Sequence, residues 1–319
     1  MRKLTDVHAH LAAVPAPGNG CRLSPRLLRG PVATMVARVQ GLPLGEPERA
    51  NSLYLERLRG ELANSRRVGR AVLLGMDGAY DEAGRLDEAR TDLLVSNDYV
   101  FQAAASAPEL FLPGVSVNPR RADALDELER CAAKGAVLVK VLANAQSFDP
   151  GLPRYRPFYQ ALARLRLPLL AHVGFEFSLI GHDQSVGDLG RLVPALEEGV
   201  TVIAAHGAST GLFFREKHWP LMRELAKRFT NFYSDVSALT LCNRVGQLLR
   251  IARHPELFAR LLFGTDYPLP VFSYPCLLGG AWGGFAAARA AESRFDRQVL
   301  VLEALGVEFK TDFADLLQR

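Results

Sequence analysis

Eight short runs rich in Val, Ile and Leu recur along the chain, at residues 3–8, 70–76, 112–117, 137–142, 168–173, 200–206, 231–236 and 260–265. Most are apolar on both faces, as parallel strands covered by helices must be. Helical patterns lie between them. Leu189, Leu192, Val193 and Leu196 follow the i, i+3, i+4, i+7 spacing, and Phe158, Leu162 and Leu165 follow i, i+4, i+7. Met222, Leu225 and Phe229 form a further stripe. Such stripes are packing surface. Strands and helices that alternate without an obvious linker predict a (β/α)8 (TIM) barrel, one domain over residues 1–319. An open doubly wound sheet is the alternative. It would bring a glycine-rich phosphate loop after its first strand, and His8-Ala9-His10-Leu11 is not one.

Two segments exceed a minimal barrel. Residues 11–44 hold Pro15, Pro17, Gly18, Gly20, Pro25, Pro31 and Pro43, which predicts a long irregular excursion after strand one. Residues 267–284, with Pro268, Pro270 and Pro275, predict a second long loop after strand eight. Both rise on the face where barrels of this kind keep their sites, so 11–44 reads as a lid or binding loop.

Composition narrows the partners. The chain is 49% hydrophobic and 23% charged, enough to bury a large core. Its 38 Lys and Arg are scattered among 34 Asp and Glu, with only short basic pairs such as Arg66-Arg67, so nucleic acid is not an expected partner. Cys21, Cys131, Cys242 and Cys276 lie far apart, which argues against a disulfide framework and suits a reducing compartment. No apolar run approaches a signal-peptide core or a membrane span. The expectation is a cytoplasmic protein with a small-molecule substrate, no membrane partner and an open oligomeric state.

The chemistry sits at the strand ends. Side chains alternate along a strand, so His8 and His10 share a face and can hold one ion together. Strand four contains Lys140, strand five ends in His172, strand six in His206 and strand eight in Asp266. In a parallel barrel these ends converge on one mouth. Imidazoles from His8, His10 and His172 with the Asp266 carboxylate suit a divalent metal, zinc foremost, with one position left open for water. Asn118 and Arg120 follow strand three, and an arginine at a barrel mouth suits a carboxylate substrate. Asn144 and Gln146 follow strand four; Glu176 and His182 follow strand five, and all are substrate-facing candidates. His218 and His254 read as surface.

The pieces Asp6-Val7-His8-Ala9-His10, Ala171-His172-Val173-Gly174, Ala205-His206-Gly207 and Gly264-Thr265-Asp266-Tyr267-Pro268 resemble the amidohydrolase superfamily. The resemblance is closest to its amidohydrolase-related branch, which includes aminocarboxymuconate-semialdehyde decarboxylase-like enzymes, and it covers nearly the whole chain. It implies that His8, His10, His172 and Asp266 ligate metal. In mononuclear members the strand-six histidine, here His206, polarises the substrate. In binuclear members a strand-four lysine, here Lys140, is carboxylated and bridges two ions. The segment Val139–Asn144 is also similar to the mononuclear branch, and the reading leans to one metal. A metal dication brings the pKa of its bound water towards neutrality. Asp266 then takes the proton and returns it to the leaving group, while His206 stabilises an oxyanion. Asp6 orients a ligand from below or satisfies buried backbone. The function this implies is a hydrolase of amides, esters or lactones. A non-oxidative decarboxylase is the enzymatic alternative, and a ligand-binding barrel without turnover is the third class; the complete ligand set argues against the last.

Overall fold

A computed structural model describes residues 3–309 and 311–317. Eight parallel strands, β1 (Leu4–His10), β2 (Val68–Leu74), β3 (Phe111–Ser116), β4 (Leu138–Val141), β5 (Leu169–Ala171), β6 (Val202–Ala204), β7 (Phe232–Asp235) and β8 (Leu261–Leu262), pair in chain order. The sheet is nearly closed into a TIM barrel with helices between the strands. Strand β8 is shorter than the apolar run at 260–265 because the chain beyond Leu262 turns to meet β1. Val7 N–H donates to Phe263 O at 3.0 Å, Asp266 N–H to His8 O at 2.8 Å and His10 N–H to Tyr267 O at 2.8 Å. Closure therefore runs through the segment that carries Asp266.

Strand β1 is not regular. Asp6 pairs with Ala71 and Ala9 with Leu73, so β1 spends one extra residue there. Strict alternation breaks at this point, and Asp6 bonds to Thr265 while Val7 packs in the apolar cluster inside the barrel. That cluster holds Val7, Val72, Leu74, Leu138, Leu170, Ile203, Tyr233 and Leu262. Two residues further along β4, β5 and β7 stand Lys140, His172 and Asp235, so a polar layer lies directly above an apolar one. The floor is sealed by Phe313 from the short C-terminal helix Phe313–Leu316, whose N-cap Asp312 accepts a hydrogen bond from Thr5 N. Gly264 makes the layer above possible: a Cβ there would stand 3.0 Å from His8 Cβ and 3.5 Å from Asp235 Cβ.

The excursion at 11–44 is more ordered than its prolines suggest. It contains the strand Arg22–Leu23, antiparallel to Leu93–Leu94, and the helices Pro25–Leu28 and Pro31–Gln40. Pro25 and Pro31 open helices, where a missing N–H is no loss, and Gly41 at φ 60° ends the second. The segment after β8 likewise forms the helix Pro275–Leu278. His218 is a second correction. It is 3% exposed, with Nδ1 3.2 Å from Ala208 O and Nε2 3.4 Å from Asp188 Oδ2, so it is a hydrogen-bonded buried residue. His254 is half-buried against Trp219. Among the described residues no helix is long and apolar enough to cross a membrane.

Asp6 closes the barrel chemically. Its fully buried carboxylate accepts from His8 N (2.7 Å), Thr265 N (3.2 Å) and Thr265 Oγ1 (2.5 Å). Burial pushes its pKa up to about 7 against these donors. Asp6→Ala leaves the Thr265 and His8 donors unsatisfied, and urea denaturation should register a loss of about 2–4 kcal/mol. A loss below ~1 kcal/mol would mean that closure does not depend on this residue.

Candidate metal centre

Six strand ends contribute to one polar cluster. His8 Nε2 lies 3.3 Å from His10 Nε2 and 3.4 Å from Asp266 Oδ1, and His10 Nε2 lies 3.2 Å from the same oxygen. Ligands held about 2.0–2.1 Å from a tetrahedral ion stand roughly 3.3–3.4 Å from one another. The three donors are thus spaced as one face of such a polyhedron. His206 and Asp266 both sit at positive φ (59° and 64°), which turns each side chain over the mouth at a conformational cost.

The hydrogen-bond network assigns the tautomers. Asp235 Oδ1 accepts from His206 N, Ser237 N and Ser237 Oγ, the last at 2.6 Å. Its other oxygen, 2.8 Å from His8 Nδ1, takes that N–H and leaves the His8 Nε2 lone pair facing His10 and Asp266. Ser237 Oγ, having given its proton to Asp235, accepts from His206 Nδ1 at 2.9 Å. His206 Nε2 then accepts from His172 Nδ1 at 3.3 Å. What remains is the lone pair on His172 Nε2, buried and without a hydrogen-bond partner, 3.7 Å from Glu176 Oε2. A buried imidazole nitrogen left over by such a relay is a donor waiting for a ligand.

Electrostatics agree. Burial, reinforced by Arg244, holds His172 and His206 well below the usual histidine range. Burial and Lys140 lower His8. Burial works against ionisation of Asp266, yet His8, His206 and His10 together hold it well below the usual carboxylate range. A His8 imidazole that resists protonation and an Asp266 carboxylate that resists it too suit a divalent ion, which binds deprotonated donors. The donor set therefore fits a divalent metal held by His8, His10 and Asp266, with His172 in reserve. A second grouping, His8, His206 and Asp235, is also compact; there the His8–Asp235 contact is the orienting hydrogen bond just described.

Lys140 is fully buried, with Nζ 3.1 Å from His8 Nε2, and burial lowers its pKa to about 8. It reaches the same locus. Glu176 lines the cavity above, its Oε1 accepting from Leu179 N at 3.0 Å. The remaining substrate candidates do not line that cavity. Arg120 is spent on Ser147 O (2.8 Å) and Glu82 (2.6 Å). Asn118 is fully buried and donates to Gly78 O and Gln146 O. Asn144 donates to Gly174 O and Gln184 Oε1, and His182 Nε2 meets Arg90 O at 2.9 Å. These polar side chains hold the loops' own backbone. Asp235, Ser237 and Arg244 belong to the site without having been singled out in the sequence. The strand-end rule applied to residues 231–236 reaches Asp235, whereas nothing in the sequence separates Arg244 from the other arginines.

The cavity has a volume of about 530 Å³. His10, His172, His206 and Asp266 form its floor. Its walls are overwhelmingly apolar: Leu27, Met35 and Val36 come from the 11–44 excursion, and Pro268, Leu269 and Phe272 from the segment after β8.

Fold and site together are those of a TIM barrel with a cluster of His and Asp side chains that could hold a metal at its strand ends. A family model described as amidohydrolase matches residues 5–297, and the chain belongs to that family. No curated protein matches the chain. Among solved structures it is similar to a proposed 2-pyrone-4,6-dicarboxylic acid hydrolase from Pseudomonas putida, at 17% identity over 99% of this chain and 93% of that one, with a TM-score of 0.57. An amidohydrolase from Burkholderia multivorans with bound zinc gives 13% identity, 99% and 95% coverage and a TM-score of 0.53. A 2,6-dihydroxybenzoate decarboxylase from Rhizobium gives 16% identity, 96% and 99% coverage and a TM-score of 0.51.

The geometry separates ligands from their support. His8→Ala and His10→Ala should lose bound metal by elemental analysis while far-UV circular dichroism is unchanged. Asp235→Ala should weaken metal retention by about 10–100-fold, since the His8 ring loses its orienting partner. Retention at the wild-type level in Asp235→Ala would reject that role.

Proposed function

We propose that this chain is a metal-dependent hydrolase of an amide, ester or lactone whose reacting bond enters an apolar cavity. The observation that carries the reading is the division of labour on Asp266. One oxygen completes the face with His8 and His10, while Oδ2 stands 3.9 Å from His206 Nδ1 and is open to a proton. A bound divalent ion, zinc being the expected one, supplies Lewis acidity and an activated water at that face. Asp266 Oδ2 takes the proton from the attacking water and returns it to the leaving group. His206, with both nitrogens engaged, keeps the His172 lone pair aimed. Lys140 stands unmodified beside His8, and the centre holds one tight ion.

A second reading is favoured by the apolar walls. A carboxylate drawn into such a cavity loses hydration, which favours loss of carbon dioxide, and the carbon left behind would take a proton from a bound water, passed on through Asp266. One of the similar structures is a decarboxylase.

Metal-loaded protein should open lactones or cleave esters or amides in a product screen, with no carbon dioxide from aromatic acids. Asp266→Asn should lower turnover by about 10²–10⁴-fold. Carbon dioxide release without cleavage of any hydrolytic substrate puts the second reading first. Electron density for a carboxylated Lys140 bridging two ions would overturn the single-ion assignment.

A further inference from the structure

Arg244 is a buried charge on which the carboxylates, Asp266 and Glu176 foremost, act only from beyond ion-pair distance. It precedes the helix Val245–Ile251 in the loop after β7, is 5% exposed, and lines the cavity beside His172, His206 and Asp266. Among the described residues no carboxylate lies within ion-pair distance of its guanidinium. Its Nη1 donates to Ser209 O at 3.4 Å, a long contact. Among the described residues its other N–H groups meet no acceptor. Buried arginines ordinarily pair, because an unpaired guanidinium in a low-dielectric wall is costly.

The surroundings keep the group in place. The guanidinium lies over Gly211, where a Cβ would stand 3.5 Å from both Cζ and Nη2 and 3.4 Å from the Phe177 ring. Gly211 at φ 74° belongs to the turn whose Ser209 O holds Nη1. The cavity lining sets Arg244 among His172, Glu176, His206 and Asp266, at its reactive end. Glu176 shares that wall without pairing with it: Oε1 is taken by backbone N–H groups, and Oε2 faces His172.

We propose that Arg244 is the anchor for a carboxylate carried by the substrate, and that the rest of that substrate is an apolar body filling the cavity. A planar fork with free donors matches a carboxylate two bonds at a time. The body is set by the walls, since they offer apolar surface from Leu27, Met35, Val36 and Phe272. A volume of about 530 Å³ lies in the range that encloses small organic ligands. A sugar or a nucleotide would bring many hydroxyl or phosphate groups to walls that cannot answer them. The inference rests on this cavity being the substrate site, and it narrows the proposed substrate to an apolar acid bearing the reacting bond.

Binding of 5-phenylvalerate and its primary amide to metal-loaded protein, followed by calorimetry, tests the anchor without requiring turnover. The acid should bind at least about tenfold more tightly than the amide. Arg244→Met should remove that preference and leave amide affinity nearly unchanged. Arg244→Lys, a point charge without the fork, should retain only part of it. Equal affinity for acid and amide, no binding of either, or a preference intact in Arg244→Met would overturn the proposal. Should Arg244→Met fail to fold, an unchanged preference in Arg244→Lys would overturn it and a reduced one would uphold it. The metal is the competing carboxylate site, so the pair is repeated on His10→Ala. A preference that survives there belongs to Arg244, and one that vanishes there belongs to the ion and sinks the anchor. A chain that holds acids through Arg244 yet turns over none of the screened compounds would defeat the hydrolase reading alone.

Discussion

The hydrogen bond between Asp235 and His8 organises this molecule. It joins the end of β7 to the end of β1 across the barrel interior, with both side chains fully buried. In so low a dielectric the pair cannot be half-made, and losing one partner strands the other. Asp235 also accepts the backbone N–H of His206, where the chain adopts a left-handed conformation. A single carboxylate thus fixes the tautomer of one imidazole and the backbone that presents another. Through Ser237 it reaches a third, since His206 hands the ordering on to His172.

How far the sequence revealed this depends on what each residue is for. Parallel strands buried on both faces must be apolar throughout, so the eight runs were readable without any partner. The strand-end histidines and Asp266 stood out because such residue types are out of place at the end of an apolar strand. Arg120, Asn118 and Asn144 showed the opposite: polar residues near a mouth usually serve the loop that carries them. Arg244 was invisible, because its meaning comes from the lack of a direct ion pair in a buried place, and absence of a contact leaves no trace in a single sequence. The prolines of 11–44 misled for another reason. Read as breakers they predict irregular chain, yet Pro25 and Pro31 occupy first helical positions, where proline favours a helix.

The floor and the walls of the cavity obey opposite rules. Below, polar atoms are paired in a relay that leaves one nitrogen over. Above, the walls offer a bound molecule little besides dispersion and exclusion of water. Charge and direction are therefore concentrated at one end, which strengthens every interaction there relative to the same groups in water.

The chain divides these tasks unevenly along its length. The reactive floor is assembled from strand ends that begin at His8 and finish at Asp266, so an alteration in one tends to disturb the rest. A large share of the apolar wall is instead contiguous, running from Leu11 to Leu44. Its side chains shape the space above the floor, so changes along this one stretch alter which molecular shapes the cavity admits, within the limit set by its tie from Gln40 to Tyr267 beside Asp266.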